Sequence, residues 1–494
     1  MVMKSARDNY QAYHTYSETL VNYLVDRIDA NPGDHVLEPA AGTGLLIDAT
    51  LARYPDITVD GYEVQRDLSN QLSTRYSNDR RIRLFTEDFI DATLRSYDRV
   101  IANPPYGAWL DHARRDKLQR EYTGLYVRET YTLFMYRALH SLKPGGRAVF
   151  IVPETFLYLH RHKYLRHALL TESRIIDLVV FPSRLFPGIG MGYAKLCIIT
   201  FERDLDEDKC RTNQFNARFG ISSINELTKA STGSTLSISQ YSVLTSIGSA
   251  FLLSDFRTAT DLINTAPTRI GDIAACVTGF YSGNDLSFLR NADPTARNAK
   301  RYARVDPRKI ADHIPNADEA LNGIANVRHF VPVRKGGPDR FVSLPRWYMD
   351  WSEDALVKYR TNKKARLQNM RYYFRHGIAV PMVSGGVLRA CQISGELFDQ
   401  AIVGVFPYNP EDELLLLGFL NSPTATHLIK TINPTANNSA NYLKKVPLLI
   451  PPVKLRRQVE INTATIIDEM YAGREPSSQY KVEIDDIFRD IYGF

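Results

Sequence analysis

The chain has 494 residues, 44% of them hydrophobic, enough for two or three domains with large cores. Its four cysteines, Cys197, Cys210, Cys276 and Cys391, have neither metal-site nor disulfide spacing, which excludes a disulfide-stapled secreted scaffold and suits a reducing cytoplasm. No apolar run approaches membrane-spanning length and no signal-peptide pattern opens the chain, so a membrane protein is not expected, while a net charge of +6 directs attention to where the cations lie.

In chain order, His35-Val36-Leu37-Glu38 reads as a short buried strand. It runs through Pro39-Ala40-Ala41 into Gly42-Thr43-Gly44, and an amphipathic helix is expected over Leu45 to Tyr54. Glycines at 42 and 44 allow close backbone approach to a ligand at the carboxyl end of a first strand, where open α/β sheets bind nucleotides. A second strand, Thr58 to Glu63, ends in an acid suited to ribose hydroxyls. A third, Ile82 to Phe85, leads into Glu87-Asp88-Phe89, where Asp88 can accept from an adenine amino group and Phe89 can pack on the ring. The fourth, Arg99-Val100-Ile101-Ala102, runs directly into Asn103-Pro104-Pro105-Tyr106.

That tetrapeptide suits methylation of an amine. The exocyclic amine of a base is a poor nucleophile because its lone pair is delocalised into the ring. An Asn side-chain carbonyl and a proline-stiffened backbone carbonyl can both accept from it, localising the pair and stabilising the charge that develops. The aromatic fourth residue offers a face for a flipped base.

With these motifs in this order, the chain resembles the S-adenosylmethionine-dependent DNA amino-methyltransferases, in particular the gamma group of adenine-N6 enzymes from restriction-modification systems. The resemblance implies S-adenosylmethionine as cofactor, a flipped adenine in double-stranded DNA as substrate, and roles for matching residues. Tyr13 and Thr15 fall in the family's N-terminal motif, with Thr15 near the methionine carboxylate. Glu38, Ala40 and Gly42 would line the methionine part, Glu63 the ribose, and Asp88 with Phe89 the adenine. Asn103 and the carbonyl of Pro104 would hold the target amine. Tyr106 would stack on one side of the base and Phe186, in Ser183-Arg184-Leu185-Phe186-Pro187, on the other. No metal is implied.

The rest of the first half fits the same layout. A helix is expected from Tyr131 to Leu142, stopping at Lys143-Pro144-Gly145-Gly146, with Tyr131 and Phe134 weighted toward core packing rather than cofactor contact. Strands are expected over Arg147 to Pro153, Arg174 to Phe181 and Tyr193 to Phe201, with a glycine-rich link from Pro187 to Gly192. The predicted fold is α/β, a Rossmann-like methyltransferase domain with a mixed seven-stranded sheet over residues 1–250. An α+β DNA target-recognition domain (251–454) and a C-terminal helical tail (455–494) follow, with the boundary placed after the polar Ser231 to Thr235 region.

Between Thr295 and Cys391 there are 19 Lys and Arg against 8 Asp and Glu, interleaved with aromatic residues. Candidate backbone or base readers there are Arg334, Lys335, Arg340, Arg346, Lys363, Lys364, Arg371 and Arg375. Arg269 to Asn284, Val333 to Gly337 and Asn433 to Asn437 resemble segments of the family's recognition domains. Trp109 to Arg120 reads as a basic loop able to close on DNA. His160 to Lys163, with Arg166 and His167, reads as a solvated face or a groove lining. The implied partners are double-stranded DNA and a cognate restriction endonuclease acting separately, with the chain itself a monomer in the cytoplasm. Competing readings are cytosine-N4, RNA-base or protein-glutamine methylation, nuclease chemistry at Glu207-Asp208-Lys209, and a catalytically silent DNA-binding module.

Overall fold

The computed structural model describes residues 9–10, 17–186, 195–229, 233–246, 248–253, 257–337, 339–384 and 386–494. The chain divides into two compact units, residues 1–255 and 256–494.

The first unit is built on strands β1 (His35–Glu38), β2 (Thr58–Tyr62), β3 (Ile82–Phe85), β4 (Tyr97–Ala102), β5 (Leu142–Pro153), β6 (Ser173–Pro182), β7 (Lys195–Arg203), β8 (Gln214–Phe219) and β9 (Ser234–Ser239). Their order across the sheet is β9-β8-β6-β7-β5-β4-β1-β2-β3. From β3 through β5 the pairing is parallel; β7 inserts antiparallel between β5 and β6. The strands are apolar where both faces are covered: Val36, Leu37, Val100 and Ile101 are all at most 1% exposed. Strand order reverses between β1 and β4, paired through Val36 with Arg99 and Leu37 with Val100. This is the topological switch point at which such sheets open a crevice.

Helix α1 (Glu18–Ile28) is started by the Ser17 side chain, which accepts from the Leu20 amide, and it buries Leu20, Leu24 and Ile28. Helix α2 (Leu45–Arg53) begins at Gly44, whose φ of +82° only glycine adopts readily, and a Cβ there would also collide with the Tyr76 hydroxyl. Helix α3 (Arg66–Arg75) links β2 to β3.

Three sequence expectations are corrected. Among the described residues the sheet holds nine strands: the seven expected are joined by β8 and β9, an antiparallel pair added in parallel onto β6. Strand β5 starts at Leu142, so Lys143 to Gly146 lies within a strand, with an irregular register against β4 between Tyr97 and Arg99. The basic segment after the tetrapeptide is a helix, α4 (His112–Glu121), because the Asp111 carboxylate accepts from the Arg114 amide at 2.8 Å and caps it. Helix α5 (Tyr131–Ser141) then returns the chain to β5.

Among its described residues the second unit contains two four-stranded sheets. Ala274–Thr278, Ile402–Pro407, Gly377–Pro381 and Cys391–Ile393 form one; Leu289–Asn291, Trp347–Asp350, Phe330–Arg334 and Leu397–Phe398 form the other. Trp351, fully buried, anchors an aromatic cluster with edge-on contacts to Phe280, Tyr373 and Phe374 at ring separations of 5.4, 5.9 and 5.8 Å. The C-terminal helices Val453–Tyr471 and Ser478–Tyr492 complete this unit's core. Val453–Tyr471 crosses helix Glu413–Leu420 closely at Gly418, where a Cβ would meet Thr463 Oγ1 at 2.8 Å; Phe488 and Tyr492 pack on Phe419.

Candidate active site

The carboxyl ends of β1, β2, β3 and β4 surround a cleft of about 730 Å³. Ala40 and Gly42 line it from the turn after β1, Glu63 follows β2, Asp88 and Phe89 follow β3, and Asn103 and Pro105 follow β4. Four separate strand ends therefore bring the expected residue types to one place.

The glycine turn is braced by acids. Glu63 accepts from the Gly42 amide at 2.8 Å and the Gln65 amide at 2.7 Å, which ties the end of β2 to the turn after β1. Burial raises the Glu63 carboxyl above its ordinary range, and those amides pull it partly back. Glu38 is not among the lining residues. It is 1% exposed and accepts from the amide of Ala40, which does line the cleft, at 3.1 Å. Burial, reinforced by the nearby Glu63 charge and only partly offset by the Ala40 amide, pushes its carboxyl up to about 8, and Oε2 has no hydrogen-bond partner.

Apolar walls come from Pro105 of the tetrapeptide and from residues the motifs did not single out, Leu46, Tyr62 and Val64. Adjacency was the available signal, since each directly neighbours or closely follows a motif residue. Phe134, expected in the core, does both jobs: it lines the cleft and packs on Phe89 at 5.6 Å. Phe89 in turn meets the Tyr62 ring edge-on at 5.4 Å. Asp88 lines the cleft while its outer oxygen pairs with Arg114 of α4.

The tetrapeptide is locked from α5. The Thr130 hydroxyl donates to the Pro105 carbonyl at 2.8 Å, and Tyr131 meets the Tyr106 ring edge-on at 6.5 Å. Tyr131 donates to Glu129 at 3.0 Å, and His162 pairs with the same carboxylate at 2.9 Å. Burial alone would raise Glu129, but His162 and Arg161 outweigh it and hold the carboxyl low; burial lowers His162 despite Glu129. Pro104 and Tyr106 are buried, as is Phe186. Both rings expected to sandwich a base are thus covered in this structure. Tyr13 and Thr15 lie outside the described residues, as do Pro187 to Gly192.

Several basic candidates take other roles. Arg166 is fully buried and donates to the Phe156, Leu159, Gly248 and Ser249 carbonyls, so it lines no groove. Lys117 pairs with Asp91 at 3.4 Å. In the second unit, Arg334 is 4% exposed and pairs with Glu396 at 2.6 Å, which removes it from the DNA-contacting candidates. Lys335 pairs with Asp285 at 2.8 Å and Asp399 at 3.0 Å; burial alone would lower its ammonium, but the two carboxylates hold it above the ordinary range. Arg346 is shared between Asp293 and Asp339, and Arg340 is half-buried. Lys363, Lys364, Arg371 and Arg375 are exposed. Glu207 and Lys209 lie on a short helix, Glu207–Thr212, paired with Arg211 and Asp206. Among the described residues, no His, Cys, Asp and Glu group is arranged to hold a metal, and no helix is long and apolar enough to cross a membrane.

Residues 49–186 match the family described as Eco57I restriction-modification methylase. The type II methyltransferase M.AccI of Acinetobacter calcoaceticus is 26% identical over 200 residues, covering 39% of this chain and 36% of that protein. The adenine-specific methyltransferase PglX of Lacticaseibacillus casei (strain Zhang) is 22% identical over 378 residues, 71% of this chain and 29% of that one. The chain thus spans about a third of the length of these curated relatives. The crystal structure of the type IIG restriction endonuclease BpuSI overlays with a TM-score of 0.44 at 14% identity, over 96% of this chain and 64% of that one. Over residues 49–186, within its first unit, the chain is similar to the restriction-modification methylases of the Eco57I kind.

Proposed function

We propose that this protein is a site-specific DNA methyltransferase, using S-adenosylmethionine to methylate N6 of a flipped-out adenine in double-stranded DNA, as the modification enzyme of a restriction-modification or related phage-defence system. One observation carries the reading: Asn103 and Pro105 of the tetrapeptide line the same cleft as Gly42, Glu63 and Asp88.

The cleft fits the cofactor by the chemistry of its donors and acceptors. Glu63 and Asp88 offer acceptors to a ribose and a 6-amino purine, the positive-φ turn at Gly42 and Gly44 leaves the backbone open, and Phe89, Phe134 and Leu46 supply apolar walls. Ala40 and Gly42 would hold the methionine end, with Glu38 behind them. When bound, S-adenosylmethionine supplies an electrophilic methyl group on a sulfonium.

The chain's own part is to orient the amine. Asn103 and the Pro104 carbonyl accept from the N6 hydrogens, localising the nitrogen lone pair for attack. The Thr130 bond to the Pro105 carbonyl holds the proline pair in one geometry, so these acceptors are set before the base arrives. The departing N6 proton goes to water. In this reading Tyr106 and Phe186 become uncovered as the base enters, a conformational step of the kind base-flipping enzymes require. The exposed Lys363, Lys364, Arg371 and Arg375 supply phosphate affinity in the second unit. The chain acts as a monomer, with any cognate endonuclease a separate protein.

The test is single-molecule sequencing of plasmid from a methylation-free host expressing this chain or its Asn103→Ala variant. N6-methyladenine at one recurring motif, absent with the variant, is expected. Methylation persisting in the variant removes Asn103 from the mechanism, and no modified base with either chain refutes the DNA-adenine reading.

A further inference from the structure

The turn carrying Asp88 is clamped from two sides. Its backbone closes on itself, with the Asp91 and Ala92 amides both donating to the Asp88 carbonyl at 3.0 Å. From α5, Arg137 donates to the Ala92 carbonyl and lies over the Phe89 ring at 5.3 Å. From α4, Arg114 bridges Asp88 and Asp91, the latter at 3.0 Å, and Lys117 adds a contact to Asp91. The spacings match: two cations three apart on a helix face two carboxylates three apart in a turn. A planar guanidinium can engage both carboxylates at once, which an ammonium cannot do with the same rigidity.

The consequence falls on the cleft. Asp88 Oδ1 accepts from the Ile90 amide at 2.9 Å and Oδ2 from Arg114, so the carboxylate is held in one orientation. Its side chain is 9% exposed and lines the cleft, while Arg114 approaches from α4 and is not among the lining residues. Each carboxylate oxygen has a second lone-pair direction. A carboxylate so fixed accepts from a 6-amino purine and repels a 6-oxo purine, whereas one free to rotate discriminates less.

We infer that Arg114 is a positioning residue for the cofactor's purine: it acts through Asp88 to set the preference for a 6-amino group, and it ties that preference to the helix following Asn103-Pro104-Pro105-Tyr106. This rests on the cleft being the S-adenosylmethionine site. A merely structural ion pair fastening α4 would instead affect both purines alike.

The experiment is calorimetric titration of the full chain with S-adenosylhomocysteine and with S-inosylhomocysteine, in which an oxo group replaces the amino group. Wild type is expected to favour the adenosyl compound by about tenfold or more, as loss of a charge-assisted hydrogen bond dictates. In Arg114→Met the adenosyl affinity should fall about tenfold with the inosyl affinity little changed, so the ratio collapses. Asp91→Asn, which leaves the Arg114 to Asp88 pair intact, should keep the ratio. A wild-type ratio in Arg114→Met, or an equal loss for both ligands, overturns the inference while leaving the cofactor site standing. Wild type binding neither ligand overturns the site itself. If Arg114→Met does not fold, Arg114→Lys carries the test: a severalfold smaller ratio is expected, and an unchanged one refutes the role.

Discussion

Replacing Glu38 by Gln should make the protein more stable, and increasingly so as pH rises. The Glu38 carboxyl is raised from 4.5 to about 8, chiefly by burial, with one oxygen lacking any partner. Below pH 4.5 it is neutral in both folded and unfolded chains and costs least. Between 4.5 and about 8 the unfolded chain has released its proton and the folded chain keeps it, so stability falls by ~1.4 kcal/mol per pH unit. Above about 8 both states are ionised and the loss levels off near ~5 kcal/mol, the product of that rate and the interval from 4.5 to 8. Gln mimics the neutral acid, retains an acceptor for the Ala40 amide, and does not titrate. Thermal unfolding of both proteins from about pH 5.5 to about pH 8.5 isolates the effect, because other titrating groups are common to the two. At roughly 2–4 °C per kcal/mol for a unit of this size, the Gln variant should gain roughly 3–6 °C over wild type per pH unit. Parallel melting curves across that range would refute the argument, since they would mean Glu38 is ionised without penalty in the folded protein.

Thr130→Val removes the hydroxyl from the buried Pro105 carbonyl, which costs ~1–3 kcal/mol in local order. Single-turnover methylation should slow about tenfold at unchanged cofactor affinity, and an unchanged rate would show that the proline pair needs no such support. In the second unit, replacing Lys363, Lys364, Arg371 and Arg375 together by Ala should flatten the dependence of log affinity for DNA on log salt by about 3–4, roughly 0.9 per phosphate contact. A slope equal to wild type would place the DNA surface elsewhere. Arg334→Met should leave that slope alone but destabilise the unit by ~3–5 kcal/mol, because Glu396 is left buried and unpaired; denaturant unfolding beside the salt titration separates the two effects.

Legibility followed range along the chain. The cleft could be read because each lining group sits immediately after its own strand: Gly42 after His35–Glu38, Glu63 after Thr58–Tyr62, Asn103 after Tyr97–Ala102. The last two strands are short: Gln214–Phe219 offers only Phe215, Ala217 and Phe219 as apolar positions, and Ser234–Ser239 only Leu236 and Ile238. Two or three apolar positions in a run of six residues are a weak period-two signal. Charge partners were also hidden. That Arg114 and Arg334 are cations is plain from the letters, but their carboxylates lie 26 and 62 residues away, joined only by tertiary packing. A cation buried against such a partner and one facing solvent look identical in sequence, so the letters do not separate Arg334 and Lys335 from Lys363 and Arg371.

Arg166 carries one more consequence. Its guanidinium is shared between carbonyls at Phe156 and Leu159 and carbonyls at Gly248 and Ser249, two stretches far apart in the chain. Neither stretch can peel away without stranding a permanent charge in a dry interior. They therefore open together or not at all, so the end of the first unit is welded into the same cooperative block as the segment that follows its fifth strand.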